Sequence, residues 1–336
     1  MHFPWATPPA PGTTVQVASG VLWLRLPLPM ALDHVNAYAL DDGDGWTVVD
    51  PGIDTPECRA ALGAALAGRR VWRVIVTHHH PDHIGLAGWL QAQGAELWIS
   101  RTAWLFARML QLDVQPLPAP QTLSYWHRAG MSADLLARRA TERPFNFADC
   151  VHPLPPGFRA LRDGDTVTIG ARRWAVRFGA GHAPDHATLW SDDGLVLGGD
   201  QLLPGISANL GVHASEPEAD PVADWLASCR RLLPFARADH LVLPGHTLPF
   251  TGLPGRLRQM IDNHDGALVR LRGFLADGPR TATGCFPVLF RRPVTEATYT
   301  LALNEAVAHL NHLRALGVVR REEGPDGVWI WSLTQG

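Results

Sequence analysis

The chain has 336 residues, 46% hydrophobic and 18% charged, a balance that excludes a disordered or heavily solvated protein and allows for about two domains. A formal net charge of -3 offers no electrostatic footprint for a long polyanion or an anionic bilayer, so neither nucleic acid nor a membrane is an expected partner. All 29 basic residues are arginine, which removes Schiff-base lysine chemistry and lysine-dependent phosphate loops.

The amino-terminal segment MHFPWATPPAPGTT lacks the basic-then-apolar order of a secretory signal, and no run of 18 apolar residues follows, so a cytoplasmic protein is expected. From Val15 to Asp50 short apolar or alternating runs are separated by Gly, Asp and Pro, which predicts strands. A helix over Pro56 to Leu66 and a strand over Val71 to Thr77 come next, and a helix is predicted from Pro81 to Gln93 with Gly94 as its stop. This switch from strands to alternating strand and helix indicates a layered α/β protein.

Residues 102–143 read as an inserted helical region in two pieces, broken by QPLPAPQT and carrying Tyr125, Trp126 and Arg128. Strands resume with TVTIG, RRWAVRFG, ATLWS, GLVLGGD and HLVLPG. Beyond Pro254, helices over Arg256 to Ala276, Thr281 to Phe290 and Glu296 to Leu316 precede VVRREE, the turn GPDG and VWIWSL. That is the order of a winged helix. The expected division is therefore a catalytic domain over 1–255 and a small C-terminal domain over 256–336. The apolar positions Leu303, Val307, Leu310, Leu313 and Leu316 are spaced as a buried helix stripe. The cysteines, Cys58, Cys150, Cys229 and Cys285, form no CxxC pair and suggest neither a disulfide framework nor a thiolate zinc site.

The sixteen histidines matter through their arrangement. After the strand WRVIVT comes His78-His79-His80-Pro81-Asp82-His83. In an extended segment His78 and His80 project to one side and His79 to the other, and a helix begun at Pro81 redirects Asp82 and His83 to a second position. One short loop can thus serve two neighbouring cations. His182 in GAGHAPDH, Asp200 at the end of GLVLGGD and His246 in LVLPGH each follow a predicted strand. Imidazole and carboxylate without thiolate suit Zn²⁺, with Mn²⁺ or Fe²⁺ as alternatives.

The order His-x-His-x-Asp-His, His, Asp, His resembles the metallo-β-lactamase superfamily of hydrolases over about residues 15 to 250. The resemblance implies an αββα sandwich with two zinc ions per chain at one edge. It places His78, His80 and His182 on the first ion, Asp82, His83 and His246 on the second, and Asp200 across both. Asp82 and Asp200 are then the catalytic carboxylates, with water ionised between the metals as nucleophile. Asp50, which closes WTVVDPG, matches a position beneath the site and is expected to hold a ligand in place. His186 is assigned at most a similar supporting role.

Within the superfamily, His80 stands where a redox branch carries Glu, Asp200 stands where antibiotic-cleaving members generally lack an aspartate, and only 45 residues separate Asp200 from His246, too few for the inserted domain of the large nuclease branch. Thioesterases similar to glyoxalase II, lactonases and a small endoribonuclease branch with a winged-helix tail share the full ligand set. Residues 256–336 carry ten Arg and eight Asp or Glu, and the predicted helix from Glu296 to Leu316 holds only Arg314 as a full cation, a weak phosphate-contacting surface. The tail is expected to pack on the catalytic domain or to form a homodimer contact. The expected activity is hydrolysis of a small carbonyl substrate, a thioester before a lactone, with an endoribonuclease or phosphodiesterase as the alternative. Tyr125, Trp126, Arg128 and Asn209 are the candidate substrate contacts.

Overall fold

The computed structural model describes residues 1–30 and 32–334. In chain order the elements are β1 (Thr14–Ala18), β2 (Val21–Pro27), β3 (His34–Asp42), β4 (Gly45–Val49), α1 (Pro56–Leu66), β5 (Val71–Ile75), α2 (Pro81–Ile84), α3 (Ala87–Ala92) and β6 (Glu96–Ser100). There follow α4 (Arg101–Leu112), α5 (Pro120–Arg128), α6 (Ala133–Arg139), β7 (Arg159–Leu161), β8 (Thr166–Ile169), β9 (Arg172–Gly179), β10 (His186–Ser191) and β11 (Leu195–Gly199). The remainder is α7 (Pro221–Leu232), β12 (Leu241–Pro244), α8 (Leu253–Ala276), α9 (Phe286–Leu289), α10 (Tyr299–Ala315), β13 (Val319–Glu323) and β14 (Trp329–Leu333).

By compactness the chain divides into two units. The first comprises Met1–Val114, Asn146–Ala208 and Leu232–Leu257; the second comprises Gln115–Phe145, Asn209–Arg231 and Arg258–Gly336. The break at Leu257 lies two residues from the expected cut, and the second unit also takes in two upstream segments.

The first unit is built on two sheets. β1 to β7 lie side by side in chain order, antiparallel up to β4 and parallel from β4 to β7. The other sheet has the order β12-β11-β10-β9-β8, with only β11 and β12 parallel. The two-residue period of a strand sorts its side chains between two cores. Trp23, Val49 and Ile75 join Trp174, Val176 and Leu189 of the second sheet in one cluster. Their neighbours Leu24, Val48 and Val74 face the other way, onto Leu62 of α1, Leu90 of α3 and Ala103 of α4. The mixed α/β layering matches the expected fold class.

Strand pairing brings the ends of distant segments to one edge. Val49 pairs with Ile75, so Asp50 and Thr77 follow in parallel; Gly199 pairs with Pro244, so Asp200 and His246 emerge together; and His186 pairs with Gly179, which leads towards His182.

Four predicted helical stretches differ in the structure. The span 81–93 is broken into α2 and α3 because the Leu86 N–H donates to the Gly52 carbonyl (2.9 Å) while the Gly85 carbonyl receives the His152 N–H (2.8 Å), so the helical ladder is diverted. The inserted region 102–143 forms three helices, α4 to α6. The predicted helix over 281–290 shrinks to a 3₁₀ turn, Thr283–Cys285, leading into α9. In α10 the stripe residues Leu303, Val307, Leu310 and Leu313 are buried, but Leu316 lies past the last turn and is 60% exposed. The second unit ends in the antiparallel hairpin β13–β14. The four cysteines are buried free thiols. Among the described residues no helix is long and apolar enough to cross a membrane.

Candidate metal centre

The centre is assembled from loops at the ends of β5, β9, β11 and β12, all within the first unit. His78 and His80 flank His79 on the extended stretch after β5, and Pro81 opens α2, which carries Asp82 and His83. Three groups of side chains place their ligating atoms within 4.8 Å of one another: His78, His80 and His182; His78, His83 and Asp200; and Asp82, His83 and His246. All seven residues singled out in the sequence are thus in one cluster. Asp200 is central: its Oδ2 lies 3.4 Å from both His182 Nε2 and His246 Nε2, and its Oδ1 lies 3.4 Å from His83 Nε2. His246 Nε2 is also 3.2 Å from Asp82 Oδ2.

Hydrogen bonds behind these rings set which nitrogen faces inward. His83 Nδ1 donates to Asp50 Oδ2 (2.9 Å), His246 Nδ1 donates to the His34 carbonyl (2.8 Å), and His78 Nδ1 lies 3.0 Å from Thr77 Oγ1. Each bond engages Nδ1 and turns Nε2 inward, the arrangement that metal-binding histidines use. Asp50 also accepts from the Thr77 N–H (2.8 Å) and the Thr77 hydroxyl (2.7 Å), so one buried carboxylate braces the β5 end and His83 together. His186 is wholly buried, accepts the Asp200 N–H at Nε2 (3.1 Å) and stacks on His78. The ring of His79 turns away from the cluster towards Phe106.

The residues fit divalent cations. His78 Nε2, His83 Nε2 and Asp200 Oδ1 are buried without a hydrogen bond, an arrangement that polar groups avoid unless another ligand satisfies them. Burial keeps His78 and His80 neutral, with pKa values well below the ordinary imidazole range. Burial opposes charge on His246 too, but Asp200 and Asp82 outweigh it and push it up to about 10. His83, also resisted by burial, is raised well above its usual value by Asp82, Asp200 and Asp50. Burial works against ionisation of Asp200 and Asp82, yet the facing His246 and His83 hold both below the ordinary carboxylate range. Two buried carboxylates therefore call for positive charge at the positions where cations would bind.

The four candidate substrate contacts lie in the second unit. Tyr125 is buried with its hydroxyl donating to the Val212 carbonyl (2.8 Å), and Arg128 pairs with Glu323 (2.9 Å). Trp126, also on α5, is partly buried. Asn209 donates to Glu305 of α10 (2.6 Å). Glu305 was not singled out by sequence: a lone acid beside an apolar stripe carries no local mark of its surroundings. Burial pushes its carboxyl up to about 7, against the stabilising Asn209 bond.

A family model described as the Metallo-beta-lactamase superfamily matches residues 30–246, and one described as Metallo-beta-lactamase-like, C-terminal domain, matches residues 268–334. Among solved structures, the chain is similar to a beta-lactamase domain protein from Burkholderia ambifaria, with a TM-score of 0.89 and 39% identity over 99% of this chain and 97% of that one. It is 28% identical over 308 residues to the probable metallo-hydrolase YqjP of Bacillus subtilis, covering 88% of this chain and 92% of that protein. It is also 28% identical over 180 residues to a hydroxyacylglutathione hydrolase of Cereibacter sphaeroides, about half of each chain (52% and 51%). On the ligand cluster and these matches together, the chain belongs to the metallo-β-lactamase superfamily of metallo-hydrolases.

Proposed function

We propose that the protein hydrolyses a small carbonyl substrate, a thioester before a lactone, with two zinc ions as cofactors. The observation that carries this reading is the cluster itself: two three-residue ligand groups joined through Asp200, with imidazole Nε2 atoms turned inward. His78, His80 and His182 would hold one ion, Asp82, His83 and His246 the other, and Asp200 both. Bound there, the ions would acidify water, polarise the carbonyl and steady the departing sulfur or oxygen.

The protein's own contribution is geometry and proton handling. Asp50, Thr77 and the His34 carbonyl fix the rings, so little reorganisation accompanies reaction. Asp82 is the more accessible of the two central carboxylates, 17% exposed against 9% for Asp200, and its role is to orient the attacking water and take its proton. The thioester preference is supported by the likeness to hydroxyacylglutathione hydrolases and by the complete ligand set that includes Asp200.

The test is a zinc-reconstituted protein assayed with hydroxyacyl thioesters of glutathione, short acyl thioesters, lactones and an activated phosphodiester, alongside metal analysis. Two ions per chain with thioester turnover supports the reading. Turnover of the phosphodiester alone overturns the substrate class, and fewer than two ions overturns the dinuclear centre.

A further inference from the structure

His186 lies outside both ligand groups, yet it closes the segment that carries His182 and touches two of the others that supply them. It opens β10, four residues after His182, and is wholly buried. Its Nε2 accepts the backbone N–H of Asp200 (3.1 Å), so its proton resides on Nδ1 and its inward lone pair is already used. Its ring lies 4.6 Å from that of His78, with planes 22° apart. The next residue, Ala187, donates its N–H to the Thr77 carbonyl (2.8 Å), pinning β10 to the end of β5.

The space around the ring is reserved for it. Gly199 has φ +47°, and a Cβ there would stand 2.6 Å from His186 Cε1 and 2.8 Å from both Nε2 and Thr77 Oγ1. The bare backbone at Gly199 lets the imidazole reach the N–H of the residue that must span both ions. Asp185, just before, adopts φ +47° and accepts a hydrogen bond from the Thr102 hydroxyl at the start of α4. The C-terminal end of the segment from His182 to His186 is thereby tied down.

We propose that His186 is a positioning residue for the dinuclear centre: it binds no metal, and by accepting the Asp200 N–H and backing His78 it sets the angle at which the shared carboxylate and a first-ion histidine meet their cations. This rests on the two-ion reading above but not on the substrate. A saturated side chain of similar bulk removes the acceptor, whereas a glutamine amide oxygen can stand where Nε2 stands.

The experiment compares the full chain with His186→Leu, His186→Phe and His186→Gln by zinc titration against a competing chelator and by the visible absorption of the cobalt-loaded proteins. Leu and Phe are expected to weaken retention of the ions by about 10- to 100-fold and to alter the cobalt bands. Gln is expected to restore both towards the parent protein. Phe keeps a ring against His78 and serves where Leu fails to fold. Leu or Phe variants with parental affinity and spectrum overturn the proposal, as does a Gln variant as impaired as Leu. A parent chain that takes up no zinc or cobalt overturns the dinuclear reading together with it; a metal-loaded parent that cleaves no thioester leaves this inference standing and removes only the substrate.

Discussion

Replacing Asp50 by asparagine isolates what its carboxylate does. The residue sits at φ +53°, which Asn tolerates, so the exchange keeps shape and backbone while removing charge and one acceptor. Asp50 takes three bonds, from the Thr77 N–H, the Thr77 hydroxyl and His83 Nδ1. With its oxygen placed for the last two, the Asn amide must set an NH₂ against the Thr77 N–H; flipped, it loses both. The better orientation leaves one buried donor unpaired and weakens two charge-assisted bonds, a cost of about 2–4 kcal/mol. With His83 less well held, zinc affinity at the Asp82, His83 and His246 group should fall about 10- to 100-fold. Urea unfolding of metal-free protein reads the first quantity, and a chelator competition reads the second. An Asp50→Asn variant with parental urea midpoint and parental affinity for both ions would refute the reasoning.

Gly199→Ala forces a Cβ against His186 and Thr77 at a left-handed position and should cost about 2–4 kcal/mol in urea unfolding, with reduced zinc content. Asn36 donates to the carbonyls of Pro244 and Thr247 on either side of His246 and accepts from Trp23 Nε1. Asn36→Ala should destabilise by about 2–4 kcal/mol and weaken zinc binding, measured by the same pair of assays. Glu305 has its folded pKa raised to about 7 from 4.5, so the folded state binds the extra proton. Stability on this account is full below about pH 4.5, falls as pH rises to about 7 and is flat above. Glu305→Gln should therefore be neutral at pH 4 and stabilising by about 2–3 kcal/mol at pH 8. A difference between the two proteins that does not change with pH would contradict the assignment.

The gathering of these His and Asp residues was legible because each member closely follows a strand, where sequence order and chemistry coincide: His78 to His83 form one short word, and Asp200 and His246 each close an apolar run. What escaped depends on distant partners. The break at Leu86 arises from bonds to Gly52 and His152, neither of which the periodicity of 81–93 can report. The raised pKa of Glu305 comes from enclosure, and the bond that opposes it comes from Asn209, ninety-six residues away. The inclusion of 115–145 and 209–231 with the C-terminal residues is likewise non-local, since nothing in either stretch names its companion.

The interleaving of the two units bears on how this gene could be cut or exchanged. A stop codon after residue 257 would delete most of the second unit while leaving its other two segments, 115–145 and 209–231, without the residues they pack among. Tyr125 would lose Trp329 from its side, and Asn311 would no longer donate to the carbonyls of Pro217 and Ala219. Removing the tail would therefore expose apolar surface in two internal stretches and favour aggregation, so swaps of this tail between relatives must carry all three pieces at once.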